Sequence, residues 1–408
     1  MSSIRRRPSR RRAALAATAM AACLALTVTA CGGDEETNDD AQAPGDSSTE
    51  DPGSGRELQD VLDNLPFDFD VDAWLDGGWE NWDQETWLSE IGDFVNPIIE
   101  GLWDTDRMGQ AEDPEQSIDE DQIQEDPDAP QADDPMADRG ITDPEPAPVE
   151  AVQVDTPYTD NGAPIGKVFF DSPEGPMVCS GTVVRDPNNP GQSNLVATAG
   201  HCVHAGTGGG WYRNISFVPA YNNNGLSAAE ANNPANVGEV APYGVFWATY
   251  VSTTQYWLDN GTTTGGEGAH GDFAVLSVEP EDGSGLSLEE TVGAAVDVNF
   301  DAPAVSGLGP VSLYGFPAAA PYDGALMYRC DGTPGRLAID STMPVLYWVG
   351  CTMTGGSSGG PWLRTGDDGE AELISVNSIG PFESTWLAGP RLDVEAQDVL
   401  EYVSQQAG

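Results

Sequence analysis

Positive charge is scarce in this chain. Of its 408 residues, 16 are Lys or Arg against 67 Asp or Glu, a formal net charge of −51 at pH 7. That balance argues against nucleic-acid binding, which needs a basic face for phosphate contact. The acid excess serves solubility, or draws cations and basic substrates. Histidine is scarcer still, with His201, His204 and His270 alone, so few side chains are available to accept a proton near neutral pH. The six cysteines are dispersed and no Cys-x-x-Cys occurs, which counts against a zinc site. Self-similarity at solenoid periods is absent. The apolar run at 13–30 is too short and alanine-rich to read as a membrane-spanning helix.

What is present is unevenly placed. Residues 32–150 hold 38 of the acids against three arginines. Before them, Arg5-Arg6-Arg7 and Arg10-Arg11-Arg12 precede the apolar run, the pattern of an export signal over residues 1–30. Val28-Thr29-Ala30-Cys31 resembles the lipobox of bacterial lipoproteins. That resemblance implies lipidation of Cys31 and a membrane anchor through it; the alternative is ordinary cleavage near Ala30, with Cys31 a leftover thiol. Residues 31–56 read as an acidic tether without the means to form a core. Residues 57–107 carry Trp74, Trp79, Trp82, Trp87 and Trp103, and the apolar positions 87–102 recur at helical spacing. Pro97 interrupts that stripe, so two short helices are expected. This segment is either an amphipathic subdomain that packs on the rest of the chain or on itself, or a propeptide or partner-docking element. Residues 108–154, with Asp143-Pro144-Glu145-Pro146, read as a second extended linker.

After residue 160 the texture changes to short β runs split by Gly, Asn and Pro. Strands are expected at Ile165–Phe170, Met177–Val184, Leu195–Thr198, Val245–Val251, Phe273–Val278, Val311–Tyr314, Val345–Val349 and Glu372–Asn377. One helix is expected near the end, over Val394–Val403. The pattern is that of an all-β barrel or sandwich spanning 155–408, behind an acidic, largely disordered N-terminal region.

The chemistry concentrates in Gly355-Gly356-Ser357-Ser358-Gly359-Gly360-Pro361. Glycines around Ser358 let the backbone turn sharply and present consecutive N–H groups. The N–H groups of Gly356 and Ser358 suit the oxyanion of a tetrahedral intermediate. A serine needs a base and an orienting acid to become a nucleophile. His201, after the apolar run Leu195–Ala197, and Asp272, at the head of another, supply both. Cys-Ser-Gly-Thr-Val-Val at 179–184, Ala-Gly-His-Cys at 199–202, Gly-Asp-Phe-Ala-Val-Leu at 271–276 and Gly-Ser-Ser-Gly-Gly-Pro at 356–361 together resemble the chymotrypsin-like (trypsin-like) serine endopeptidases, bacterial secreted branch. The order His, Asp, Ser is that family's order and not that of subtilisin-like or α/β-hydrolase chains. The resemblance covers roughly residues 155–405.

The resemblance implies a two-barrel fold with a closing C-terminal helix and a site in the cleft between barrels. His201 is then general base and acid, Asp272 its orienter, Ser358 the nucleophile, and Gly356 and Ser358 the oxyanion donors, with a polypeptide substrate and no metal or organic cofactor. Ser378 matches the serine that supports the buried Asp and borders the substrate cleft. Four cysteines in this region read as two disulfides with three pairings open; the resemblance implies Cys179–Cys202, and with it Cys330–Cys351. Three departures matter. Ser357 stands where trypsin-like enzymes carry an Asp that pairs with a freshly cut N-terminus, so that activation switch does not carry over. Thr352, the pocket position six before Ser358, is not Asp, so a Lys or Arg preference is not implied. Asn377 stands where glutamyl-specific relatives carry His. An uncharged pocket is therefore expected. The rival reading is a catalytically silent, protease-like surface binding or scaffold protein.

Overall fold

The computed structural model describes residues 96–114, 116–119, 122–123, 138–366 and 368–407, with Trp74, Gly77 and Gly78. All of them belong to one compact unit that extends over residues 60–408. The export signal, Cys31, Trp79, Trp82, Trp87 and most of the helical stripe lie outside the described residues. No helix among the described residues is long and apolar enough to cross a membrane.

The N-terminal part begins with helix α1 (Thr105–Gln110), capped by the Asp104 carboxylate, which accepts from the Arg107 N–H at 2.8 Å. Strand β1 (Ser117–Ile118) follows, then β2 (Val152–Gln153). The next six strands are β3 (Ile165–Ser172), β4 (Gly175–Val184), β5 (Leu195–Thr198), β6 (Arg213–Pro219), β7 (Phe246–Thr253) and β8 (Ala274–Pro280). They close into a barrel in the order β3-β4-β5-β8-β7-β6. The sequence closes it because most of these strands are buried along nearly their whole length, Val168, Phe170, Val196, Phe217 and Leu276 among the core side chains. Each such side chain contributes roughly 1.5–3 kcal/mol on burial.

The second half comprises β9 (Asp297–Val298), β10 (Val311–Gly315), β11 (Tyr328–Gly332), β12 (Gly335–Leu337), β13 (Leu346–Gly350), β14 (Pro361–Thr365), β15 (Ala371–Val376), β16 (Gly380–Pro381) and β17 (Trp386–Gly389). Sheet β2-β11-β10-β14-β15-β9 and sheet β12-β13-β17 share a core in which Leu313, Tyr347, Val349, Trp362, Ile374 and Leu387 meet. Helix α2 (Val394–Gln406) returns to the first barrel. Asp393 caps it, and Ala396, Val399, Leu400 and Val403 form its buried stripe, at helical spacing.

The N-terminal residues are built into this body. Trp103 and Met108 are buried with Phe169, Val218 and Trp247, and Trp103 Nε1 donates to the Asn214 carbonyl at 2.6 Å. Asn96 fills the gap where β6 and β7 part. Its amide donates to the carbonyls of Ile215 (2.9 Å) and Ala248 (2.8 Å), and its oxygen accepts from the Ile215 N–H (2.9 Å). Further along, Arg336 grips Asp143 at 2.6 Å and Asp138 at 3.3 Å. The acidic, proline-rich stretch near residue 140 is thus laid along β12 by charge pairing.

Every expected strand exists, with ends displaced by up to two residues, and the closing helix extends three residues past its expected end. The short strands β1, β2, β9, β12 and β16, and the longer β6, β11, β14 and β17, have no counterpart among the expected ones. β6 opens on Arg213 and on Asn214, whose φ is +51°. β14 opens on Pro361 and ends in Arg364-Thr365. Such edges break the short apolar alternation by which strands are recognised.

Candidate active site

The loop at 355–360 is fixed by its carbonyls. The Gly355 carbonyl accepts from the Ala318 N–H (2.7 Å), and the Ser358 carbonyl from the Ser180 N–H (2.7 Å). The Gly356 carbonyl accepts from the Ser180 hydroxyl (2.9 Å), and the Ser357 carbonyl from the Asn377 amide (2.9 Å). The N–H groups of Ser357, Gly359 and Gly360 donate to Thr354, Asn377 and Ser357. The N–H groups of Gly355, Gly356 and Ser358 are left over, with no acceptor among the described residues. Unpaired donors gathered in a tight turn are an anion-binding arrangement. Gly356 is required there: its φ is +88°, and a Cβ would sit 2.7 Å from the Phe316 carbonyl oxygen and 2.8 Å from the Ala318 Cβ. Ser357, where an Asp occurs in trypsin-like enzymes, is buried and donates its hydroxyl to the Thr354 carbonyl at 2.7 Å, which closes the turn without an ion pair.

His201 lies in the 3₁₀ turn Gly200–Cys202 after β5, and Asp272 between the turn Ala269–Gly271 and β8. Both are buried. The Asp272 carboxylate accepts from the His201 N–H (2.8 Å), His201 Nδ1 (2.7 Å) and the Ser378 hydroxyl (2.6 Å). Three donors compensate its removal from water. Because an ionised carboxylate only accepts, Nδ1 carries the ring proton and Nε2 keeps its lone pair in the neutral imidazole. Nε2 is buried and has no hydrogen-bond partner among the described residues, so no bond to the Ser358 hydroxyl is formed in this conformation.

Gly359 brings the two halves together. With φ +76° it presses its Cα against β5 and the residue after it, where a Cβ would collide with the Thr198 hydroxyl and lie 2.9 Å from the Ala199 N. The Ser358 loop is thereby seated two residues from His201. The disulfide Cys179–Cys202 ties β4 to the histidine turn, and Cys330–Cys351 ties β11 to the end of β13, each the pairing implied by the resemblance. Cys179, His201 and Cys202 present donor atoms within 4.8 Å of one another, but both sulfurs are spent in the disulfide and offer no thiolate to a metal.

His204 and His270 are internal. Gly206 N–H donates to His204 Nδ1 at 3.0 Å, and burial, assisted by Arg213, lowers the pKa of His204 to about 4. Burial does the same for His270, whose Nε2 accepts from the Asp340 N–H at 3.3 Å. Both are neutral at pH 7. Thr352 does not line the cleft; its hydroxyl accepts from the Ala151 N–H (2.9 Å) and meets the Tyr322 hydroxyl (3.1 Å). The cleft itself, about 390 Å³, is lined by Ser358, Ser378, Met353, Ile379 and Trp386 on one side and by Asp113, Gln116 and Ser117 on the other. Sequence reasoning missed Asn377 as the clamp of the loop: its amide also holds the Tyr314 carbonyl (2.9 Å), and its oxygen accepts from Trp362 Nε1 (2.7 Å). It also missed Lys167, the chain's single lysine. Buried over the rings of Phe169 and Tyr221, Lys167 donates to the Gly324 carbonyl at 3.0 Å, in the loop that brings Ala319 and Ala320 to the cleft. Burial lowers its pKa to about 7, against the pull of Asp323.

No protein-family model and no curated protein matches the chain. Solved structures do. A thermostable serine protease, AL20, from an extremophilic microorganism is 33% identical, over 60% of this chain and 99% of its own, with a TM-score of 0.48. The protease Anisep from Arthrobacter nicotinovorans is 28% identical, over 62% of this chain and 99% of its own, also with a TM-score of 0.48. Both are proteases, and they are what this chain, with its closed six-stranded barrel and C-terminal helix, is similar to.

Proposed function

We propose that the chain is an exported serine endopeptidase that works through an acyl-enzyme. Ser358 attacks the scissile carbonyl while His201 Nε2 takes its proton and later returns it to the leaving amine. Asp272, supported by Ser378, holds the tautomer and balances the imidazolium. The N–H groups of Gly356 and Ser358 receive the oxyanion. The observation that carries this reading is that the buried His201 Nε2 and the N–H groups of Gly356 and Ser358 have no partners among the described residues, and each is a group the reaction uses.

The substrate is a polypeptide. The cleft wall of Met353, Thr354, Ile379, Trp386 and Leu387 carries no charge, which favours an uncharged side chain at the cleavage site. Two disulfides suit an oxidising, extracytoplasmic compartment, and we assign the N-terminus to export with lipidation of Cys31 and a membrane anchor there. The test is labelling by a fluorophosphonate probe beside Ser358→Ala and His201→Ala. Labelling that needs both residues supports the reading, and peptide hydrolysis by Ser358→Ala should fall by on the order of 10⁶. Absence of labelling in folded full-length protein refutes it in favour of a silent binding protein.

A further inference from the structure

One wall of the cleft is built by an N-terminal stretch of the chain itself. Residues 112–114 and 116–118 form that wall, running from one half of the protein to the other. At the first barrel, the Glu112 N–H donates to the Pro176 carbonyl (3.0 Å) and the Val178 N–H to the Glu112 carbonyl (2.8 Å). At the far side, β1 pairs in parallel with β16, Ser117 opposite Gly380 and Ile118 opposite Pro381, and the Gly380 N–H reaches the Gln116 carbonyl at 3.4 Å. Between these points Asp113, Pro114, Gln116 and Ser117 line the same cleft as Ser358 and Ser378. The Asp113 carboxylate lies so close to Gly355 that a Cβ there would collide with it.

Both ends are anchored. Ile118 is buried with Ile339, Ile379 and Trp386, and the Gln116 side chain donates to the Thr262 carbonyl at 3.0 Å. Upstream, Trp103 and Met108 are buried, and Arg107 pairs with Asp171 at 2.7 Å. An extended peptide can bind a protein by adding itself as a strand to an exposed sheet edge. The edge beside Ser378 is β16, and the strap has taken it. Yet the strap is not seated as a substrate, because the N–H groups of Gly356 and Ser358 receive none of its carbonyls. It borders the cleft and holds the β16 edge without offering a bond to Ser358.

We infer that residues 112–114 and 116–118 are an autoinhibitory strap, which excludes polypeptide substrates until it is displaced. The inference rests on the proposed peptidase activity, and the experiment separates the two. In the full-length protein, Ile118→Asp puts a charge into the apolar seat of the strap and unseats it. A small fluorophosphonate probe reports Ser358 reactivity, and a fluorogenic peptide reports access to the cleft. Since apparent affinity scales with the open fraction, peptide kcat/KM should rise about tenfold or more in Ile118→Asp. A synthetic peptide of residues 111–119 should then inhibit the variant competitively, and a scrambled one should not. Equal kcat/KM in wild type and variant, with both labelled by the probe, overturns the strap and leaves the peptidase reading intact. Probe labelling in neither overturns the peptidase reading. Should Ile118→Asp fail to fold, Asp113→Gly with Gln116→Gly loosens the strap without altering a buried side chain, and unchanged kcat/KM there overturns the inference equally.

Discussion

Replacing Lys167 by Met should stabilise this protein at neutral pH and remove part of the pH dependence of its stability. Burial lowers the pKa of the amine from its usual 10.5 to about 7 in the folded state. Between those values the unfolded chain binds the proton that the folded chain gives up, so wild-type stability rises with pH across that window. Below pH 7 the folded protein bears the whole cost of a buried ammonium, and above pH 10.5 that cost is gone. Integrated from pH 7 to pH 10, the gain is roughly 3 kcal/mol at 1.36 kcal/mol per unit. Met has a similar shape and no proton to gain, so the variant lacks this slope, and replacing a buried charge by an apolar group is commonly neutral or stabilising. The assay is urea unfolding of Ser358-inactivated wild type and Lys167→Met at pH 7, 8, 9 and 10. The stability difference should favour the variant at pH 7 and swing toward wild type by roughly 3 kcal/mol by pH 10. A difference that stays flat over that range would mean that the amine does not titrate near 7 in the folded protein, and the argument fails.

Ser378→Ala removes one of three donors to the buried Asp272 carboxylate; a hydrogen bond to a charged group is worth about 1.5–3 kcal/mol, so kcat/KM for a peptide should fall by roughly tenfold or more, and an unchanged value would exclude Ser378 from the network. Gly356→Ala strains a left-handed turn by about 1–3 kcal/mol and turns the proposed oxyanion donor aside, so kcat should drop about 100-fold or more while the Ser358 and His201 side chains remain; retained kcat would remove the Gly356 N–H from the reaction. Asn96→Ala strands the Ile215 N–H and the Ile215 and Ala248 carbonyls at the parted strands, at a cost of about 2–3 kcal/mol in thermal or urea unfolding, and a loss under 0.5 kcal/mol would show that water replaces the side chain without penalty.

The legible parts of the molecule were those written in local order. Leu195–Thr198 followed by Gly-His-Cys, and Asp272 heading Phe-Ala-Val-Leu, announce a strand and a candidate site residue in one short run, and the structure joins His201 to Asp272 through two hydrogen bonds. The rest depends on partners far away in sequence. Asn377 looked like a specificity position, but its side chain holds Tyr314, Ser357 and Trp362 together. The run around Asp113-Pro114 has the composition of a linker, and its β pairing exists because Gly380 offers an edge. Lys167 sits in a strand whose other residues predict burial, and nothing nearby in sequence shows that the amine follows them inside.

Asn96 bears on the order in which the protein assembles. Its hydrogen bonds span 119 and 152 residues, to Ile215 and Ala248. Synthesis delivers Asn96 and Trp103 long before β6 and β7 exist, so the first barrel cannot be sealed until its last strands meet a segment made at the outset. Contacts of such range carry a large loop-closure cost and slow the folding reaction. The early segment then acts on the newborn barrel much as a dedicated folding assistant would, covalently attached and always at hand, and a chain shortened to the barrels alone would have to close that seam unaided.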